Sequence, residues 1–152
     1  MLKKLMVTVL ALVLGGSAAE AANLMQLELR VTGGGSVKLV DKLPSGVFTA
    51  EPILRKTERV YRYYVILDKT QSVELKFKVK GDAKLGPALS AFKREKGRKN
   101  QPISVKCKVF ELDGEPAGGI PGVISKWKRI MVREFQDGDT VTLKMEFEKP
   151  EE

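Results

Sequence analysis

Residues 73–80 run Val73-Glu74-Leu75-Lys76-Phe77-Lys78-Val79-Lys80, an unbroken alternation of apolar and charged side chains. Successive side chains of an extended chain point to opposite faces, so a period of two predicts a strand with one dry face and one wet face. The pattern returns at Val141, Leu143, Met145 and Phe147, interleaved with Thr142, Lys144, Glu146 and Glu148. Met25, Leu27, Leu29 and Val31 repeat it, as do Tyr61, Tyr63, Val65 and Leu67 ahead of a turn at Lys69-Thr70-Gln71. Ile103, Val105, Cys107 and Val109 make a fifth strand. There the phase changes, because Phe110 and Leu112 take the next apolar places; a β-bulge is expected, since one extra residue restores the alternation.

Between these stretches lie residues that reverse the chain: Gly33-Gly34-Gly35, Pro44-Ser45-Gly46, Gly81-Asp82, Asp113-Gly114, Gly118-Gly119 with Pro121-Gly122, and Asp137-Gly138-Asp139. They supply a positive or preset φ where a turn needs one. Outside the first twenty-odd residues no run of ten shows helical periodicity. Leu85 to Lys96 comes nearest, but Pro87 interrupts it, and Leu89, Ala91 and Phe92 suit a strand that ends in a charged hairpin. The expected fold is all-β, an antiparallel two-sheet β-sandwich of roughly eight strands.

The start of the chain has a different grammar. Lys3 and Lys4 precede an apolar run from Leu5 to Leu14, and Ala19-Glu20-Ala21 has the small-residue spacing that signal peptidases accept. Residues 1–21 are therefore expected to be a signal peptide, and residues 22–152 one domain beginning at Ala22, periplasmic or secreted. The apolar run is shorter than the roughly 18–20 residues of a membrane helix, and no later stretch approaches that length, so no transmembrane segment is expected in the mature chain. The lone cysteine, Cys107, is far from the cleavage site, which argues against a lipid anchor at a processed terminus. The formal charge is +8; the cut takes Lys3, Lys4 and Glu20, leaving 25 basic against 18 acidic side chains, or +7. Such an excess favours anionic partners.

Trp127-Lys128-Arg129, leading through Ile130 and Val132 to Asp137-Gly138-Asp139 and the strand 141–147, resembles late strands of the galactose-binding-like, jelly-roll carbohydrate-binding modules associated with cellulases. Tyr61 to Leu67, a turn and Val73 to Gly81 resemble their earlier paired core strands. The resemblance, over 61–81 and 127–147, implies a jelly-roll-like sandwich and a carbohydrate-binding role. The chain departs from that pattern after Phe147, where Lys149-Pro150-Glu151-Glu152 leaves no room for a closing strand. An immunoglobulin-like sandwich is the alternative.

Chemistry is bounded mainly by residue types. The chain contains no histidine, which removes the usual general base near neutral pH and the commonest transition-metal ligand. One cysteine and no histidine leave no zinc site of the ordinary kind, and no motif calls for a cofactor. A glycosidase needs only two carboxylates, but nothing in the spacing of Glu51, Glu58, Asp68, Glu111, Asp113, Glu115, Asp137 and Asp139 singles out a pair. Asp137-Gly138-Asp139 and Asp113-Gly114-Glu115 read as tight hairpins rather than calcium loops. The two glycine-rich stretches lack the lysine and following helix of a phosphate loop. Cys107 shares the parity of Ile103 and Val105 and is expected in the core. The stretch from Glu115 to Ser125 is expected to be a long loop, a place where binding tends to reside on a rigid sandwich.

Two features point to recognition. Lys93, Arg94, Lys96, Arg98 and Lys99 would crowd the tip of a hairpin and attract an anionic polymer over a screened range of about 8–10 Å. Tyr64 falls on the opposite face of its strand from Tyr61 and Tyr63 and is expected to be exposed, whereas Tyr61, Tyr63 and Trp127, the last in phase with Met131 and Phe135, are expected in the core. The candidate ligand-binding residues are thus Tyr64, Lys93, Arg94, Lys96, Arg98 and Lys99, with no catalytic or metal set. The function expected is a noncatalytic, exported binding or accessory module for a glycan or anionic envelope component. The alternative is a structural subunit that docks on another envelope protein; nucleic acid is not an expected partner, since no aromatics interleave the basic cluster. Mass spectrometry of the protein from its native cell should find Ala22 as the first residue, and an intact Met1 would refute export by this signal.

Overall fold

Every strand predicted from alternation is present in the computed structural model, which describes residues 21–116 and 120–150. Apart from Ala21, the segment whose pattern predicts an export signal lies outside the described residues, as do positions 117–119 of the expected long loop. One sheet contains β1 (Ala22–Thr32), β3 (Val47–Leu54), β4 (Glu58–Ile66) and β6 (Ala83–Arg94), with the short β7 (Gln101–Pro102), β11 (Lys128–Arg129) and β12 (Arg133–Phe135) along its border. The other contains β2 (Ser36–Leu39), β5 (Gln71–Lys80), β8 (Val105–Leu112), β9 (Glu115–Pro116), β10 (Gly122–Ile124) and β13 (Thr140–Phe147). The first sheet runs β11-β6-β1-β4-β3 and the second β10-β8-β13-β5-β2, and all pairings are antiparallel. This is a two-sheet antiparallel β-sandwich. No helix among the described residues is long and apolar enough to cross a membrane.

Strand alternation becomes the core directly. Met25, Leu27, Leu29 and Val31 of β1 face Val73, Leu75, Phe77 and Val79 of β5 and Val141, Leu143, Met145 and Phe147 of β13 within one buried apolar cluster. Tyr63 of β4 meets Phe77 of β5 edge to face, ring centroids 5.8 Å apart, a contact between the two sheets. Such a pair adds about 0.5–1.5 kcal/mol beyond the area it buries. The phase change in β8 is the expected bulge: Phe147 of β13 pairs with Cys107 and Glu146 with Val109, which leaves Lys108 as the extra residue. Phe110 and Leu112 thereby return to the core.

Pro87 lies within β6, where a proline is ordinarily excluded because it cannot donate to the ladder. A strand residue turns its N and C=O to the same side, and the Pro87 carbonyl accepts from the Ile130 N–H at 2.9 Å. Its nitrogen therefore faces the border between β11 and β12, and the pairing of β6 with β1 loses nothing.

The turns hold the sheets together at one end. Asp113 (φ 54°) and Gly114 (φ 83°) form the two-residue connection between β8 and β9, both central residues at positive φ, as a type I′ hairpin requires. The Asp137 carboxylate accepts from the Gly81 N–H at 2.7 Å, the Asp82 carboxylate from the Asp137 N–H at 3.1 Å, and the Asp139 carboxylate from the Gln136 N–H at 2.8 Å. Asp137-Gly138-Asp139 is thus a stapled turn between β12 and β13. The Gly33–Gly35 turn packs against the same region: a Cβ on Gly35 would lie 2.7 Å from the carbonyl oxygens of Gly81 and Asp82 and 2.8 Å from Ala83 Cβ. Gly35→Ala should cost about 1–3 kcal/mol through this backbone clash. At Gly34 a Cβ meets nothing, so only the positive φ is penalised and Gly34→Ala should cost about 1 kcal/mol. Urea unfolding of the two variants checks the order; equal costs would refute the close approach.

Candidate functional site

β6 exposes one border to everything but β1, and four pieces of chain cover that border in succession. β7 pairs at Phe92 and Lys93; the Ala91 N–H donates to Ser125 O at 3.0 Å; β11 pairs at Leu89 and Ala88; β12 pairs at residues 83–85. A cleft of about 380 Å³ opens where the β7 piece gives way to the Ser125 piece. Gln26, Ser90 and Phe92 form its floor on the outer face of the first sheet, and Asn100, Pro102, Ser125, Lys126 and Trp127 form its walls.

Trp127 overturns the expectation that it packs in the core. Its parity within 127–135 is interrupted between β11 and β12, so the alternation that assigned it inward does not carry through. Lys128 pairs with Leu89, an inward residue of β6, which places Trp127 on the outward side, where it is 48% exposed. The indole thus stands at the mouth of the cleft as a large apolar plate, with the side chains of Gln26, Ser90 and Asn100 within the same lining.

Tyr64 takes the opposite correction. It lies on the outer face, as its parity requires, but is only 9% exposed, because Leu24 and Phe92 join it in a small apolar cluster flanked by Phe48, Ala50 and Ile66. It offers no open stacking surface. The sequence shows that this face carries Tyr64; it does not show that strands from three other places bring apolar neighbours beside it. Tyr63 is buried and Tyr61 half-buried against the core, as expected.

The basic cluster is a hairpin tip. Lys93 and Arg94 end β6, half-buried and paired with Asn23 and Ala22 of β1, while Lys96, Arg98 and Lys99 are exposed in the connection to β7. Gly97 at φ 77° and the Arg98 N–H donating to Glu95 O at 3.1 Å shape the turn. The Arg98 guanidinium lies 3.6 Å from the Glu95 carboxylate, so the tip carries more cations than anions. Asn100 belongs to both the tip and the cleft wall, which places these cations beside the Trp127 cleft; Tyr64 does not line the cleft but adjoins its floor, paired with Gln26 and clustered with Phe92.

The stretch from Glu115 to Ser125 is not loop throughout: its described residues include β9 and β10, which pair with β8. At the far end of the sandwich a second cleft of about 520 Å³ lies between the Gly33–Gly35 turn and Arg55 to Arg59. There Arg55 is tied to Glu58 at 2.7 Å. Among the described residues no cluster of three acidic or thiol side chains gathers as metal ligands would. No family model, curated protein or solved structure matches the chain.

Cys107 is fully buried in the core. Burial pushes its thiol up to about 11, against smaller downward pulls from a backbone hydrogen bond at Val109 and the Lys128 ammonium. Burial, and secondarily Tyr61, also pushes the Tyr63 phenol upward. Both groups hold their protons in the folded state beyond the pH at which the unfolded chain releases them, so stability is complete below the unfolded values and falls as pH rises. Denaturation midpoints should decline from about pH 9 toward 11. Cys107→Ala should decline less steeply than the parent, and thiol labelling of the native parent at pH 7.5 should be slow; a parallel decline with fast labelling would contradict the buried thiol.

Proposed function

We propose that the chain is an exported, noncatalytic binding module of the cell envelope, periplasmic or secreted, that holds an acidic glycan in the Trp127 cleft. The observation that carries this reading is the half-exposed indole at the mouth of a cleft whose lining offers amides and hydroxyls. A sugar ring presents apolar C–H faces and polar edges, so a flat aromatic plate with amide and hydroxyl partners matches both. The adjoining Lys96, Arg98 and Lys99 supply Coulomb attraction for carboxylate, sulfate or phosphate substituents. The resemblance of 61–81 and 127–147 to carbohydrate-binding modules agrees with this reading.

A second reading, docking on an envelope protein, draws on the exposed Trp127 and Val132 in one border segment. Tryptophan is among the side chains that most often anchor an interface.

Trp127 is the sole tryptophan, so its emission reports directly on the cleft. Acidic oligosaccharides should change that emission. Trp127→Ala should weaken binding about tenfold or more, roughly 1.4 kcal/mol. Replacing Lys96, Arg98 and Lys99 together by Gln should flatten the salt dependence while leaving neutral oligosaccharides unaffected. Glycan binding that ignores Trp127→Ala would refute the cleft, and co-purification with a protein partner without glycan affinity would favour the second reading.

A further inference from the structure

The outer face of the second sheet is divided by charge. On one part acids and bases alternate across strands: Lys144 of β13 lies opposite Glu74 of β5 on one side and Glu111 of β8 on the other, and Lys108 pairs with Glu146 at 3.2 Å. On the other part they do not. Lys76, Lys78 and Lys80 project from β5, Lys38 of β2 lies directly opposite Lys78, and the remaining cross-strand partners are Ser36, Thr140 and Thr142. All four lysines are exposed and none forms an ion pair among the described residues. Like charges directly opposite in a ladder destabilise it. The folded chain therefore bears a standing repulsion here that the neighbouring rows avoid.

We infer that Lys38, Lys76, Lys78 and Lys80 form a track for a linear polyanion, an acidic polysaccharide bearing repeated carboxylate, sulfate or phosphate groups. Three of the ammoniums lie along one strand at intervals of two residues, about 7 Å, and span about 14 Å. Lys38 broadens the line by one strand spacing, about 5 Å. The hydroxyls of Ser36, Thr140 and Thr142 flank the line as hydrogen-bond donors to anionic oxygens. A narrow line fits a chain better than a sheet of charge: an anionic bilayer laid on this face would also meet Glu74 and Glu111 in the next row. The track is on the opposite face of the sandwich from the Trp127 cleft and stands independently of it.

Heparin, a linear sulfated polysaccharide, serves as the probe, with acetylation of lysines in the full chain read by mass spectrometry. Heparin should slow acetylation of Lys38, Lys76, Lys78 and Lys80 at least fivefold and leave Lys144 unchanged. The triple variant Lys76→Gln, Lys78→Gln, Lys80→Gln should bind heparin about 10–100-fold more weakly and reduce the slope of log affinity against log salt by about 2, in keeping with three lost contacts. It should also be at least as stable as the parent, since the repulsion is relieved, so weak binding cannot be ascribed to unfolding. Trp127→Ala should keep the protection of the four lysines, which separates this track from the glycan cleft. Equal labelling with and without heparin would overturn the inference. So would phosphatidylglycerol vesicles that protect the four lysines where heparin does not, which would identify a membrane as the partner.

Discussion

The structure depends on burial between two sheets that no covalent cross-link ties together. With one cysteine the chain cannot form an internal disulfide, so the interlayer of Val, Leu, Met and Phe side chains must outweigh the entropy of ordering both sheets. That requirement makes register decisive. A slip of one residue in β5 would turn Val73, Leu75, Phe77 and Val79 to water and four charged side chains into the core. Apolar cross-strand neighbours, the Tyr63–Phe77 contact and the bulge at Lys108 all serve one register. Cys107 belongs to this interlayer, which is why its thiol is a packing group there rather than a reactive one.

The border of β6 is where a continuous ladder gives way to separate short pieces of chain. No single long strand covers it; the pieces at β7, Ser125, β11 and β12 share the task, and each departs from the ladder after a few residues. The departures leave gaps, and a gap between two pieces is a cleft with a floor of sheet and walls of loop. Rigid sheet below and variable chain above is a common arrangement for ligand sites. Trp127 stands beside such a gap, held on a segment whose backbone is bonded to β6 on both sides of it, at Ser125 and at Lys128.

Charge is distributed with similar economy. Where acids and bases share a row, as at Glu74, Lys144 and Glu111, the surface is locally balanced. The excess of cations is instead gathered at the β6–β7 hairpin and along the outward side of β5. Exposed pairs of this kind add little stability. Their arrangement therefore bears more on what the surface attracts than on how the fold holds together.

Alternation in the sequence by itself determined the long strands β1, β4, β5, β8 and β13, the all-β sandwich, the bulge in β8 and the burial of Cys107, because a period of two has only one structural meaning when one face must stay dry; β3, whose burial does not alternate, and the short border strands were not legible that way. The tight turn at Asp113-Gly114 and the basic hairpin were legible for the same local reason, that turn chemistry is written in adjacent residues. The cleft was not. Tyr64 sits on the predicted face, yet its exposure depends on Leu24 and Phe92 from distant strands, and sequence parity says nothing about lateral neighbours. Trp127 was misassigned because parity holds only within an unbroken strand, and the chain breaks between β11 and β12. The lysine row of β5, too, was only a set of alternate residues until strand register set Lys38 opposite Lys78 on one side and Thr140 and Thr142, rather than carboxylates, on the other. Local periodicity decides which way a side chain points; only the tertiary pairing of strands decides what stands beside it.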